Sequence, residues 1–296
     1  MMRFYCFLLI GTLGFVGISR GENYPSLPSQ VLSNYVPQSS ETTDAQVMAA
    51  AGQAFLSSLS EKLHSQAALP YDSKEKQIWT NTPPRGPQGG VRLGDLNEKQ
   101  IQKACDLLAT VLSEQGYGKA RNIPLADDRL LKNGERRPGF GAEDYWLAIF
   151  GTPSATEPWA LQFDGHHLAI NLAFRGEQMS MSPTFIGTQP RDFQLSDDLV
   201  EPMVGKDSAA LELLRSLDDK QRSKAVIGDR RNNLKAGAGR DGKVPAVEGV
   251  ACGDFTEAQK EKLMAVLALY VDDMPKPFAE ARLEALRQGV GALYFA

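Results

Sequence analysis

The sequence is poor in histidine and cysteine: 296 residues hold three of each. No HExxH zinc motif and no GxSxG nucleophile elbow occurs, so a zincin or an α/β-hydrolase site of the usual kind is excluded. Cys6 lies in an N-terminal apolar run, which leaves Cys105 and Cys252. Two cysteines make neither a disulfide framework nor a zinc finger. An oxidising compartment permits a bridge between them, worth roughly 4–5 kcal/mol in the chain-entropy model; two buried free thiols are the alternative. An excess of basic residues is also missing. The chain has a formal net charge of −4, which argues against nucleic acid as a partner, because phosphate neutralisation needs clustered cations.

Long apolar runs are absent but for one. Phe4–Val16 is a stretch of about 13 residues, the length of a signal-peptide core and too short for a bilayer. Arg3 precedes it, and Ser19 and Gly21 supply small residues for a cut after Gly21. Residues 1–21 therefore read as a signal peptide, with a buried N-terminal helix as the alternative, and the mature protein as exported to a periplasm or the outside. Cys6 stands at the start of the run, the wrong place for lipid attachment. No integral membrane segment is expected after cleavage. The mature chain of about 275 residues suffices for one large core or two small ones.

Residues 22–44 are polar and carry Pro25, Pro28 and Pro37, which reads as a flexible leader. Asp44 then opens a helical pattern to about His64, with His64 an exposed residue near its end. After a Pro/Gly loop at 80–90, Asn97 and Gln100 form a capping box, and the helix they start is expected to end at Gly116. The entrance Gly94-Asp-Leu-Asn-Glu-Lys-Gln100 recurs as Gly253-Asp-Phe-Thr-Glu-Ala-Gln259. This recurrence reads as shared capping chemistry, not as a duplicated domain. A helix to about Val271, another over roughly 278–288 and a strand in 291–296 complete the pattern.

The middle of the chain reads as sheet. Tyr145–Phe150 is apolar on both faces, the mark of a central strand. Asp164-Gly165 between alternating apolar residues is a strong hairpin signal, expected to face Phe163 with His166, Gln162 with His167 and Trp159 with Ile170. A second turn at Gly176-Glu177 pairs Phe174 with Met179 and Leu172 with Met181. Period-two alternation then sorts the sheet. Trp159, Leu161, Phe163, Leu168, Ile170, Leu172, Phe174, Met179 and Met181 share a core face, with His166 at its turn edge. The other face holds Ala160, Gln162, His167, Ala169, Asn171, Ala173, Ser180 and Ser182. That small, polar face is either packed by a close helix or forms the floor of a groove.

The hairpin carries the one sharp chemical candidate. Adjacent strand residues point to opposite faces, so His166 and His167 are not expected to share an ion without a bulge. A single histidine needs further ligands, and Glu157 is the nearest. The metal candidates are thus His167, His166 and Glu157, around a divalent transition metal. The catalytic candidates are His167 and Glu157, since one imidazole can serve as a general base. The ligand-binding candidates are Gln162, His166, His167 and Asn171. The bland alternative is that His166 caps the core and His167 bonds a neighbour. Gly237–Lys243 matches both GxGxxG and GxxxxGK strings. No strand precedes it, and Val244 and Pro245 stand where a magnesium ligand and a helix should be, so nucleotide binding is set aside.

The strings Phe150-Gly-Thr-Pro-Ser154, Glu157-Pro-Trp159, Gly165-His-His-Leu168 and Ser182-Pro-Thr-Phe-Ile-Gly187 resemble the core of the family called domain of unknown function 3500. Trp79-Thr-Asn, Leu93-Gly-Asp-Leu96 and the Gly253-Asp-Phe helix start also fall where that family has similar segments, so the resemblance spans roughly 75–296. It implies no assigned chemistry, members often bearing export signals, and a strand-rich tail with an Asn-His-x-His element past the segment like 291–296. By that comparison the chain is truncated at its C-terminus.

The expected fold is α+β: an antiparallel β-meander over about 145–187, packed against several α-helices in one domain over 45–296. Two functions compete. One is an exported, non-catalytic binding or scaffold protein with structural histidines and an unknown ligand. The other is an exported metal-binding protein or a hydrolase- or oxidoreductase-type enzyme with its site at Gly165-His166-His167. The absent tail tilts the comparison toward the first.

Overall fold

The structure, a computed structural model, describes residues 26–131, 137–228, 236–240 and 242–296; residues 1–21, read from the sequence as a signal peptide, lie outside them. The first element among the described residues is α1 (Leu27–Asn34), where the sequence reads as a flexible leader. Ser26 accepts from the Ser29 amide, and Pro28 sits in the first turn, where its missing N–H costs nothing. Val31 and Leu32 are buried, and Arg121 donates to the carbonyls of Leu32 and Ser33. The polar composition hid a short amphipathic helix.

The single helix expected from Asp44 to His64 is two, α2 (Ala45–Ser57) and α3 (Glu61–Ala67), because Ser60 caps a new start. Two short strands follow, β1 (Ala68–Leu69) and β2 (Val91–Arg92). α4 (Glu98–Val111) begins at the Asn97–Gln100 capping box as the spacing predicts. It ends earlier than expected, because Ser113 caps α5 (Glu114–Asp128), and Gly116 lies inside that next helix.

β3 (Tyr145–Phe150), β4 (Trp159–Gly165), β5 (Leu168–Arg175) and β6 (Gln178–Ile186) form the antiparallel meander. With β1 and β2 on the far edge of β3 they make a six-stranded sheet that ends at β6. The core face is the expected one. Trp159, Leu161, Phe163, Leu168, Ile170, Leu172 and Phe174 all join the main core, with Met179 and Met181 against it. Around Gln162 the other face is covered by the 3-10 turn Lys74–Gln77, where the Lys76 carbonyl accepts from Gln162 and the Lys76 amine lies over the rings of Tyr71 and Phe150. Farther along, Ala173, Ser180 and Ser182 of the same face line a recess, so each of the two expected arrangements holds for part of it. The fold is α+β.

Beyond a small hairpin, β7 (Phe193–Leu195) with β8 (Asp198–Val200), the chain builds a second core. It uses α6 (Lys206–Ser216), α7 (Asp219–Ala225), β9 (Val250–Ala251), α8 (Glu257–Val271) and β10 (Tyr294–Phe295), while α9 (Lys276–Gln288) turns Phe278 onto the main core. β10 pairs antiparallel with β9, so the terminal strand has a neighbour.

The twin helix entrances are more than shared capping. Both α3 and α7 are seven residues long and follow a side-chain cap. Gln100 and Gln259 close the capping boxes of α4 and α8, and each also donates to the end of an earlier helix, at the carbonyls of Ser58 and Ser216. Gly90 and Gly249 precede the paired strands with φ of +99° and +97°, where a Cβ would strike Leu147 and Phe295 respectively. Apart from β1 and a 3-10 turn inserted after α3, and a 3-10 turn before β10, the order helix, helix, strand, 3-10 turn, helix, helix, strand occurs twice, so the recurrence extends beyond the local capping chemistry that the sequence suggests. The copies meet turn to turn: the Ser113 amide donates to the Asp273 carbonyl, and Lys119 pairs with the buried Asp273.

Candidate functional site

The first hairpin turns two residues later than the Asp-Gly signal predicts. Gly165 faces Leu168, Phe163 faces Ile170 and Trp159 faces Phe174, so the two-residue loop is His166-His167. His167 takes the left-handed conformation, φ 65°. Each strand has slipped by two residues, which preserves the alternation; a one-residue slip would have inverted both faces. The longer ladder stacks Trp159 on Phe174 with centroids 4.3 Å apart. Gly165 serves close packing here and not a turn, since a Cβ would sit 2.6 Å from the Tyr145 ring.

The expectation that the imidazoles lie on opposite sides of the sheet is wrong. Both belong to the loop, where strand alternation does not apply, and their ring centroids lie 3.9 Å apart. His166 is 5% exposed. Its Nδ1 lies 2.7 Å from Asp127 Oδ1, and its ring meets Phe140 edge-on at 4.8 Å. The Tyr145 hydroxyl donates to its carbonyl at 2.5 Å. His167, half-buried, accepts through its carbonyl from the Gly187 amide at 2.7 Å.

Asp127 is the hub. Its other oxygen accepts from the Gly141 amide, Asp128 accepts from the Ala142 amide and the Ser29 hydroxyl, and Asp144 accepts from the Gly139 amide and from Arg92. Three carboxylates thus hold the loop before β3, and Asp127 ties that loop to the hairpin. Burial raises the Asp128 carboxyl against its hydrogen bonds, and burial raises Tyr145 strongly. The sequence reading missed Asp127, Phe140 and Tyr145. A signal existed for the first: Asp127-Asp128 end a helix, where the dipole disfavours carboxylates, so other partners must hold them.

Gln162 and Asn171 do come together. Gln162 donates to Asn171 Oδ1 at 2.7 Å, and Asn171 donates to the Pro183 carbonyl at 2.7 Å. Both are engaged across the sheet, away from the turn. Glu157 is exposed and lies before β4, whereas the histidines follow it. The intervening strand is roughly 23 Å long at about 3.3 Å per residue, so Glu157 does not join the histidines as metal ligand or catalytic partner. Among the described residues, no group of three or more His, Cys, Asp or Glu is placed to hold a metal ion. The acidic group beside the turn is Asp164, 1% exposed. Its Oδ2 accepts from the Thr80 amide at 3.1 Å, and its Oδ1 is buried without a hydrogen bond. Burial pushes its carboxyl up to about 7, with the Thr80 amide opposing.

A recess of about 990 Å³ lies elsewhere, between the β5–β6 hairpin and α9. Met179, Met181, Met274 and Phe278 supply its apolar wall, with Arg175 and Arg282 on it. Cys105 and Cys252 are both free, buried in different cores. No described helix is long and apolar enough to cross a membrane.

No curated protein and no solved structure matches the chain. A sequence profile, described as "Protein of unknown function (DUF3500)", matches residues 41–296 and so takes in both copies of the repeated unit and the histidine hairpin. The chain belongs to the DUF3500 family.

Proposed function

We propose that the protein is an exported, non-catalytic binding or scaffold protein whose histidine hairpin serves structure and whose ligand surface is the β6–α9 recess. The observation that carries this reading is the engagement of His166. Its ring is enclosed by Asp127, Phe140 and His167 and its carbonyl is taken by Tyr145, which leaves the residue fixed in a packed joint. The recess offers accommodation that the hairpin does not: apolar walls and a volume in the range of small-molecule sites. Export rests on the Phe4–Val16 run and the small residues after it.

The test is a pair of variants and an anilinonaphthalene sulfonate dye. Phe278→Glu, in the recess wall, is expected to weaken dye binding by about tenfold, or roughly 1.4 kcal/mol. His166→Ala is expected to lower the melting temperature and leave dye binding intact. Loss of a defined enzymatic activity in a His166 variant of unchanged stability would end this reading. A second reading, acid–base chemistry at the turn, draws on one observation: a buried carboxyl at Asp164 poised near neutral pH.

A further inference from the structure

A smaller cavity, of about 400 Å³, lies where β2 and β3 meet the segment that precedes them. Its flat wall is Trp146, half-buried on β3 and paired with Arg92 of β2. A second wall is the loop 86–90. Gly89 and Gly90 let that loop lie close: a Cβ on Gly89 would sit 3.3 Å from Glu75 Cβ, and one on Gly90 would strike the Leu147 carbonyl. Glu75 comes from the 3-10 turn Lys74–Gln77, where the Ser73 hydroxyl donates to its carboxylate. Asp95, at the end of the 3-10 turn Leu93–Asp95, also lines the cavity. The charge balance here is negative. Among the described residues that line the cavity, Arg92 is the one cation, and it is already committed. It donates to Asp144 at 2.5 Å, to Glu143 at 3.0 Å and to Asp95 at 3.4 Å. Three carboxylates against one guanidinium leave a surplus before Glu75 is added. Gln88 donates its amide nitrogen to the Gly86 carbonyl, which fixes the side chain, and its Oε1 is buried without a hydrogen bond. A buried acceptor left without a donor is costly. Opposite Trp146 on β4 stands Asp164, on the same face of the sheet, and its Oδ1 is likewise without a hydrogen bond.

We propose that this cavity binds a guanidinium group, stacked on the Trp146 indole and donating to Glu75, Asp95 and Gln88 Oε1. A guanidinium carries donors and no acceptor, so it matches a lining of carboxylates and an unpaired amide oxygen. Its planar fork fits a carboxylate, and its face stacks on an aromatic ring, tryptophan being the best partner for a cation. A sugar also stacks on tryptophan, but it brings as many acceptors as donors and gains nothing from the surplus charge. The volume lies in the range of small-molecule sites. Two sources present this chemistry, a free small molecule and an arginine side chain of a peptide, and the test separates them. The site shares no residue with the lining of the β6–α9 recess, so it stands whether or not that recess takes a ligand.

The test titrates the full chain with n-butylguanidinium and with n-butylurea, which has nearly the same shape and no charge. The Trp146 indole resonance, assigned through Trp146→Phe, reports the site, and calorimetry reads the affinities. n-Butylguanidinium is expected to shift that resonance, and n-butylurea to bind at least about tenfold more weakly. Glu75→Gln is expected to weaken n-butylguanidinium binding by about fivefold, and Trp146→Ala by about tenfold. Should Trp146→Ala fail to fold, Glu75→Gln and the two probes still decide. A capped Gly-Arg-Gly peptide that binds as tightly as n-butylguanidinium assigns the site to an arginine side chain, and its exclusion assigns it to a free small molecule; either result bears out the guanidinium. Equal binding of n-butylurea overturns the proposal, as does the absence of any shift at roughly 10 mM n-butylguanidinium. A shift at the β6–α9 recess with none at Trp146 also overturns it.

Discussion

Replacing Asp164 by Asn probes the hairpin most sharply, because the two side chains are nearly the same shape and differ in charge. The carboxyl is buried beneath the segment that carries Thr80, and burial moves it from 3.8 to about 7. A group whose folded pKa is raised contributes stability that is complete below its unfolded pKa and lost as pH rises through its folded one. The full span is roughly 3 units, or about 4 kcal/mol at about 1.36 kcal/mol per unit. Part of it is already lost at pH 5. Between pH 5 and pH 8 the penalty grows by roughly 2.5 kcal/mol as an upper value. Asn at this position keeps an acceptor for the Thr80 amide and carries no charge. The variant is therefore expected to gain on the parent as pH rises, by about 1 M in urea midpoint between those pH values for an m-value of about 2.5 kcal/mol/M. Lys206, which burial lowers to about 8, titrates alike in both proteins and cancels in the difference. Paired urea titrations at pH 5 and pH 8 measure the gap. A gap that is constant, or that narrows toward pH 8, refutes the account of Asp164 as a buried acid without a counter-charge.

Four further outcomes are expected. Gly165→Ala forces a methyl against the Tyr145 ring, 2.6 Å away, and should cost about 1–3 kcal/mol by chemical denaturation. His166→Ala strands the buried Asp127 carboxylate and should cost about 3 kcal/mol, read as a fall in melting temperature. Gly90→Ala should destabilise the whole fold, since it disturbs the central strand β3, whereas Gly249→Ala should speed exchange only around β9 and β10. Cys105 and Cys252, both buried and both raised to about 11 by burial, should resist thiol reagents in the native protein and react together in denaturant.

Much of the architecture was legible in the sequence. Both capping boxes, the core face of the meander and the second turn at Gly176-Glu177 follow from rules that need only neighbouring residues. The short α1 was not, because eight residues in a polar stretch acquire their helical reason from burying Val31 and Leu32 against α4 and α5. Nor was the break at Ser113, three residues before Gly116, a glycine that suits a helix end but instead lets α5 pass close to the Asp273 backbone.

At the site the division is the same. The residues Asp164 to His167 mark a reversal by type alone, and alternation fixes which of their neighbours face the core. Where the reversal falls was settled by tertiary packing: the Trp159–Phe174 stack and the fit of Tyr145 against Gly165 favour a longer ladder, and the loop moves onto the histidines. Local turn preference amounts to a fraction of what a seven-pair ladder with an apolar core face stabilises, so the ladder wins. The sequence by itself determined fold class, the capping-box starts of α4 and α8 and the sorting of faces, because those depend on periodicity and capping. Only the tertiary structure decided that the two imidazoles stack, that Asp127 holds one of them, and that a unit is built twice, because those depend on contacts between residues far apart in the chain.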